Sequence, residues 1–323
     1  MFNKLIEVLK ANPRKIVFTE GPDARILEAT AKLKEGGFLT PVLVGNVDEV
    51  QAAAKAGGFD IEGIEIIDPA TYPEMDAMVA KMVELRKGKM TEEQCADALS
   101  KGNYFGTMLV KMGKADSLLG GATYSTADTV RPALQLIKTK PGSKSVSSCF
   151  ILTREVEGKA EMLAMGDCAI NIKPSPEEIA ECAIETAHTA ATFGIDPKVA
   201  FLSYSTKGSG KGEDVDKMVE ACKLAQEAAP ELAIDGELQF DAAVSPVVAQ
   251  TKCKGSKVAG QANVFLFPDI NAGNIGYKIA QRLGGFEAYG PILQGLNAPI
   301  NDLSRGCNAD EVYKMAIITA ALA

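Results

Sequence analysis

Short apolar runs rich in β-branched residues alternate along the chain with longer segments of helical periodicity. In the first half, the pattern predicts strands at Lys15–Phe18, Pro41–Val44, Ile64–Ile67 and Leu118–Leu119, and helices at Ile26–Lys34, Glu74–Arg86 and Thr91–Lys101. Strands separated by helices are typical of βαβ crossovers, so the pattern indicates a mostly parallel sheet.

The second half repeats this alternation. It predicts strands at Ser145–Leu152, Glu161–Ala164, Val199–Tyr204 and Val264–Phe267, and helices at Glu177–Phe193, Glu213–Ala228 and Ile275–Leu283. A polar segment around Pro141-Gly142 separates the halves, and a second crossing is predicted near Leu296–Pro299. The final helix, Asn308–Leu322, is too apolar on one side to stand alone, so we expect it to pack on the first domain. The sequence therefore predicts two α/β domains, 1–141 with 297–323 and 142–296, with a ligand cleft between them.

Charge and apolar run length exclude several classes of partner. The formal net charge of −8 argues against nucleic acid or an anionic membrane surface. The longest apolar run, Met315–Ala323, is far shorter than the roughly 20 residues that span a bilayer. The N-terminal segment has no uninterrupted apolar core of a signal peptide, and the seven cysteines form no CxxC pair. We therefore expect a cytoplasmic protein with reduced thiols.

Basic side chains suited to catalysis or anion binding are scarce. His188 is the only histidine, and it lies at the margin of a predicted helix without metal-ligand spacing, so neither a metal site nor a Ser-His-Asp triad is expected. A catalytic base, if there is one, is then expected to be a carboxylate. The arginines are Arg14, Arg25, Arg86, Arg131, Arg154, Arg282 and Arg305, so anion contacts must come from few guanidinium groups.

Two loops of the second half are candidate ligand contacts. The loop Ser205–Gly212 lies between a strand and a helix, but it lacks the Walker A spacing and is either an anion contact through Lys207 and backbone N–H groups or a plain connector. The segment Asp269–Gly276, which includes Asn271, follows a strand. It is either a helix cap or a ligand wall at the carboxyl end of that strand.

The segment Pro299–Glu311 carries the strongest signal. Its Ser304-Arg305-Gly306 turn comes just before a helix, so a hydroxyl, a guanidinium and several N–H groups face one spot that suits a phosphate or an oxyanion. A structural interpretation is equally open: Asn308 as N-cap with Glu311 at N3, and Ser304 as a turn residue. The two interpretations are compatible.

At these residues the chain closely resembles the phosphate acetyltransferase (phosphotransacetylase) family, and the resemblance runs in order over essentially its whole length. The matching stretches are Glu20–Leu27, Leu85–Lys87, Ala127–Gln135 and Glu287–Cys307. The resemblance implies reversible transfer of acetyl between coenzyme A and orthophosphate, giving acetyl phosphate. It also implies an isocitrate/isopropylmalate-dehydrogenase-like fold, a homodimer, and no cofactor, since coenzyme A is a substrate.

The resemblance also implies roles for individual residues. The family's catalytic serine falls on Ser304 and the arginine after it on Arg305. Family arginines linked with coenzyme A fall on Arg86, Arg131 and Arg282. The family's aspartate falls on Glu311, preceded here by Asp310, which leaves two candidates for the base.

The chemistry expected from these residues is direct attack of the coenzyme A thiolate in a ternary complex. A carboxylate takes the thiol proton, Ser304 hydrogen-bonds the carbonyl oxygen, and Arg305 binds the phosphoryl group. Three alternatives stay open: a phosphate butyryltransferase, a non-catalytic module that senses acetyl-CoA, and, by fold analogy alone, an NAD- and metal-dependent decarboxylating dehydrogenase.

Overall fold

Two sheets organise the chain, and each belongs to its own unit. The computed structural model describes residues 2–323, and the chain divides into Met1–Pro141 with Leu296–Ala323, here called the first unit, and Gly142–Gly295, the second unit. The α/β class predicted from the sequence is confirmed.

The elements are as follows. The strands are β1 Lys15–Phe18, β2 Thr40–Val44, β3 Glu65–Ile67, β4 Ser117–Gly120, β5 Ser147–Val156, β6 Lys159–Gly166, β7 Lys198–Leu202, β8 Ala233–Leu238, β9 Val264–Leu266, β10 Glu287–Gln294 and β11 Ile300–Asp302. The helices are α1 Phe2–Ala11, α2 Ala24–Gly36, α3 Val47–Gly57, α4 Met75–Arg86, α5 Glu92–Leu99, α6 Gly102–Lys111, α7 Thr126–Pro132, α8 Pro176–Thr192, α9 Glu213–Ala228, α10 Phe240–Val244, α11 Pro246–Lys252, α12 Ile270–Leu283 and α13 Ala309–Ala321. A 3₁₀ turn at Pro69–Thr71 and a π-helical turn at Ala133–Ile137 complete the set. Within the described residues, no helix is long and apolar enough to cross a membrane.

The sheet of the first unit is parallel throughout, in the order β11-β4-β1-β2-β3. Its central strands are buried over nearly their whole length, as expected for parallel strands covered by helices on both faces. α13 packs against α1, α2 and β4, so the final helix lies in the first unit.

The sheet of the second unit is mixed, in the order β10-β5-β6-β9-β7-β8. β5 pairs antiparallel with both β6 and β10, while the other pairs are parallel. β5 and β6 form a hairpin whose two loop residues, Glu157 and Gly158, both have positive φ, the backbone that a tight type I′ connection requires. The predicted mostly parallel arrangement therefore describes the first sheet fully and the second only in part.

The parallel order of the first sheet positions three loops side by side. β11, β4 and β1 are neighbours, so the segments that follow them emerge at the same carboxyl edge. In open α/β sheets this edge is where ligands bind.

Candidate active site

The loops after β1, β4 and β11 approach one another closely because the second loop begins with two glycines. A Cβ on Gly120 would collide with the Thr19 and Tyr124 hydroxyls. Gly121 has a φ of +100°, and a Cβ there would collide with the Asp302 carboxylate. Only glycine fits both positions, so the pair allows the three loops to meet.

Glu20, in the loop after β1, ties that loop to the loop after β4. Its buried carboxylate accepts hydrogen bonds from the backbone N–H groups of Gly121 at 3.0 Å and Ala122 at 3.1 Å. The N–H and hydroxyl of Thr123 donate to its other oxygen at 2.5 and 2.6 Å. A buried carboxylate needs such donors, and here they fix the course of the second loop.

Asp302, the last residue of β11, binds the start of α7, the helix that follows the second loop. Its buried carboxylate accepts hydrogen bonds from the hydroxyls of Thr126 at 2.6 Å and Thr129 at 2.5 Å. Burial raises the pKa of Asp302, and the two hydroxyls offset part of that effect. The Tyr124 hydroxyl bonds Thr19 at 2.7 Å, and burial raises the Tyr124 pKa well above its usual value.

Arg25, in the first turn of α2, contacts all three loops. Its guanidinium donates to Asp23 Oδ1 at 3.0 Å and Oδ2 at 2.7 Å, and to the Ala122 carbonyl at 2.9 Å. It also donates to the carbonyls of Arg305 at 2.8 Å and Cys307 at 3.2 Å. Burial acts to raise the Asp23 pKa, but the hydrogen bonds from Arg25 outweigh burial and hold the pKa below its usual value.

Ser304 and Arg305 are exposed on the turn that follows β11. The Gly306 N–H donates to Ser304 Oγ at 3.2 Å, and the Cys307 N–H donates to the Ser304 carbonyl at 2.9 Å, which closes the turn. Among residues 2–323, no side chain forms a hydrogen bond or ion pair with the Arg305 guanidinium. The turn therefore presents a hydroxyl and an uncommitted cation to solvent.

Glu311 and Asp310 differ in their partners at the start of α13. Asn308 and Glu311 form a reciprocal capping box: the Glu311 N–H donates to Asn308 Oδ1 at 2.9 Å, and the Asn308 N–H donates to Glu311 Oε2 at 3.0 Å. Asp310 instead pairs with Lys314 at 2.9 Å along the helix. Burial raises the pKa of the Cys307 thiol to about 11, and the negative charge of Glu311 contributes to the rise. Of the two carboxylates, Glu311 is the one bonded to the backbone that follows the Ser304 turn, at Asn308.

The other predicted residues of the first unit, Arg86 and Arg131, lie at helix ends. Arg86 is in the last turn of α4, and its Nε is buried without a hydrogen-bond partner among the described residues. A buried donor without a partner is uncommon and costly. Arg131 is in the last turn of α7 with its side chain exposed, and its Nη1 lies 3.5 Å from Asp128 Oδ1.

Three predicted residues lie on the second unit. Lys207 pairs with Asp235 and donates to the Gly236 carbonyl at 2.9 Å, so its ammonium is neutralised within its own unit. Asn271 is exposed in the first turn of α12, after the N-cap Asp269. Arg282 is exposed in the last turn of that helix.

The structure thus brings together Ser304, Arg305 and Glu311 on one turn and helix start. Sequence reasoning missed what Glu20, Arg25 and Asp302 do, although all three lie within or beside the stretches that carry the resemblance. A usable signal was their position: Glu20 and Asp302 end or follow buried parallel strands, where a polar side chain lies at the ligand edge.

Comparison with known proteins points to one family. Residues 1–320 match the family model described as "Phosphate acetyl/butaryl transferase". A phosphate acetyltransferase of Bacillus subtilis (strain 168) is 56% identical over 323 residues, covering 100% of this chain and 99% of that protein. A crystal structure of a phosphotransacetylase from Streptococcus pyogenes superposes with a TM-score of 0.95 at 54% identity, covering 99% of this chain and 97% of that one. The EutD phosphotransacetylase from Staphylococcus aureus gives 0.91 at 52% identity, covering 99% and 98%.

Proposed function

The chain belongs to the phosphate acetyl/butyryl transferase family, and we propose that it reversibly transfers an acetyl group between coenzyme A and orthophosphate, giving acetyl phosphate. The full-length relatives that it matches at 52–56% identity are named phosphate acetyltransferases, which favours acetyl over longer acyl groups. The observation that carries the proposal is the exposed Ser304-Arg305 turn with Glu311 beside it at the carboxyl edge of the sheet.

Ser304 acts as the donor to the reacting carbonyl. The Gly306 N–H occupies one lone pair of Ser304 Oγ, and the hydroxyl donates to no acceptor among the described residues, so its proton is free to bond the oxygen of the acetyl group. That oxygen gains negative charge as the carbonyl carbon becomes tetrahedral. A donor aimed at it contributes on the order of 10²–10³ in rate.

Arg305 binds the phosphoryl group. A guanidinium offers two parallel N–H groups to a phosphate, a geometry that an ammonium does not match. Because no side chain of the described residues neutralises Arg305, its charge is available to orthophosphate or to the phosphoryl group of acetyl phosphate.

Glu311 is the base that takes the thiol proton of coenzyme A. A thiol with a pKa near 8.5 is mostly protonated at neutral pH, so a carboxylate in contact raises the fraction that can attack. The sulfur then forms a bond to the carbonyl carbon, and the carbon–oxygen bond to phosphate breaks, with the electron pair leaving on phosphate. No acyl-enzyme forms, because both substrates react in one complex. Asp310 is the weaker candidate, since its ion pair with Lys314 holds its carboxylate along the helix.

Arg86, Arg131 and Arg282 contact the phosphates of coenzyme A, with Asn271 as a further polar contact. The orphaned Arg86 Nε and the exposure of Arg131 and Arg282 support this assignment. For Lys207, the ion pair with Asp235 favours a structural role over substrate contact.

We further propose a cytoplasmic homodimer. All seven cysteines are free and buried, which suits a reducing compartment. On α12, Ile275, Ile279 and Leu283 follow one another at helical spacing and are 57%, 54% and 85% exposed, which supports a subunit contact there. The molar mass in solution, measured by light scattering, tests the dimer.

The activity test is phosphate-dependent release of free thiol from acetyl-CoA. We expect release only when orthophosphate is added, with stoichiometric formation of acetyl phosphate and a slower rate with butyryl-CoA. Faster turnover of butyryl-CoA would assign the longer acyl group instead. Binding of acetyl-CoA without any release on addition of phosphate would contradict the proposal and favour a sensing module.

A further inference from the structure

The guanidinium of Arg25 binds the backbone of the candidate catalytic turn. Arg25 donates to the carbonyl oxygens of Arg305 and Cys307, which lie two residues apart on that turn. Each carbonyl belongs to a planar peptide group whose N–H points in the opposite direction, because both peptide bonds are trans. Contacts with the two carbonyls therefore set where the N–H groups of Gly306 and Asn308 point.

Those two N–H groups hold the two side chains that the reaction needs. The Gly306 N–H donates to Ser304 Oγ, and the Asn308 N–H donates to Glu311 Oε2. A rotation of either peptide group would release the hydroxyl or the carboxylate from its only backbone donor among the described residues. The geometry of donor and base thus depends on the same guanidinium.

Arg25 is itself rigidly held. Asp23 binds it through both carboxylate oxygens and also caps α2 by accepting the Arg25 N–H at 2.9 Å. The Ala122 carbonyl, in the loop that Glu20 fixes, accepts a further hydrogen bond. A lysine has one ammonium on a flexible stem and cannot span these acceptors at once.

We propose that Arg25 is a positioning residue that aligns Ser304 and Glu311 through the backbone of the turn. The inference rests on the proposed function for its kinetic consequence but not for its structural one. Arg25 acts on the backbone carbonyl groups of the turn and does not itself bind substrate.

The kinetic test compares Arg25→Ala and Arg25→Lys with Arg154→Ala. Misplacement of a catalytic group by about 1 Å costs on the order of 100-fold in rate, so we expect both Arg25 variants to lose about 100-fold in kcat. The KM for coenzyme A should change little, because Arg25 makes no substrate contact. Arg154 is the matched control: it pairs with Glu161 at 2.6 Å, donates to the Gly284 carbonyl at 3.0 Å and stacks over Phe286, all within the second unit. Its loss should lower the melting temperature with kcat unchanged.

Guanidinium ion supplies a readout that a general loss of stability would not give. At concentrations well below those that unfold the protein, it should restore part of the kcat of Arg25→Ala and none of that of Ser304→Ala. A kcat of Arg25→Ala within threefold of wild type, or failure of guanidinium to raise it, would overturn the proposal.

Amide hydrogen exchange separates this proposal from the proposed function. Arg25→Ala should speed exchange at Gly306 and Asn308 while protection in β1 and β4 stays as in wild type. That result supports the positioning role whether or not the wild-type protein transfers acetyl groups. Unchanged exchange at both amides would overturn the positioning role even in an active enzyme.

Discussion

At the carboxyl edge of each sheet, a buried carboxylate fixes the loop that follows a strand. The two edges differ in whether the cation beside the loop has an anionic partner. In the first unit Glu20 accepts the N–H groups of consecutive residues that follow β4. In the second unit Asp167, which follows β6, accepts the N–H groups of Ala169 at 3.0 Å, Ile170 at 3.2 Å and Asn171 at 2.9 Å. A buried carboxylate thus shapes a loop of fixed course at both edges.

The difference lies in the cations. Lys207, beside the second edge, is paired with Asp235, and the loop that carries it is held by Glu237 through Ser205 Oγ and the Gly208 N–H, each at 2.7 Å. Arg305, at the first edge, has no such partner within the described residues. Loops fixed by a buried carboxylate are therefore common to both edges, and the first edge differs in carrying a cation that no side chain of the described residues neutralises.

The largest expected effect comes from Glu311, the proposed base. Glu311→Gln would remove the proposed proton acceptor, so kcat should fall by about 10²–10⁴. Asp310→Asn removes only an ion pair on the helix surface, and its kcat should stay within threefold of wild type. Steady-state rates of thiol release measure both. A larger loss for Asp310→Asn than for Glu311→Gln would assign the base to Asp310.

The next effect contrasts the two cations directly. A hydrogen bond to a charged group contributes about 1.5–3 kcal/mol, so Arg305→Gln should lower kcat/KM for phosphate by roughly 10- to 100-fold. Lys207→Gln should leave that constant near wild type and lower the melting temperature, because Lys207 stabilises its own loop. Both are measured with phosphate as the varied substrate. Equal losses of kcat/KM in the two variants would show that the ion pair with Asp235 opens to admit substrate.

The smallest effect is a dependence of stability on alkaline pH. Burial raises the pKa of Cys307 to about 11 and that of Cys222 to about 12, from a value of 9.0 for the free thiol. The unfolded chain therefore loses these protons first, so the contribution of the two thiols to the free energy of unfolding is constant below pH 9 and falls above it. Each thiol contributes a slope of up to about 1.4 kcal/mol per pH unit until its folded pKa is passed.

Single substitutions separate the thiols of the two units. Cys307→Ser should flatten the decline between pH 9 and about 11, and Cys222→Ser should flatten it to about pH 12. Burial is the largest cause of both pKa rises; the Arg25 charge opposes it for Cys307 and the Lys207 charge opposes it for Cys222, because each cation favours the thiolate. Urea unfolding at a series of pH values measures these slopes. Identical slopes for wild type and both variants would contradict the assignment.

Local pattern was sufficient for most elements. The bounds of β1 and α9 agree with those predicted, because an apolar run between turn residues and an amphipathic run each carry their own signal. β8 and β10 were not predicted. β8 contains Asp235 and Gly236, which resemble a turn, and β10 contains Gly290-Pro291, which is accommodated by an irregular register between Tyr289 and Ile292.

The candidate site also contains some residues that local spacing indicates and others that it does not. Ser304, Arg305 and Glu311 lie within eight positions of one another, so their spacing alone indicated a turn and a helix cap. The residues that hold the turn depend on distant partners: Glu20 bonds Gly121, 101 positions away, and Thr126 bonds Asp302 across 176 positions. No local pattern encodes such pairs, because they exist only after the strands have paired.

The two-segment construction of the first unit has a consequence for folding. β11 pairs with β4, and α13 packs on α1 and α2, although the entire second unit lies between these segments in the chain. Pairing strands that are so far apart in the chain costs loop-closure entropy and is slow. Until β11 has paired with β4, that edge of the first sheet is therefore unpaired. The turn that carries Ser304 is joined to β11, and it is therefore completed among the last parts of the molecule. During synthesis, the chain acquires its candidate chemistry only when the first unit closes.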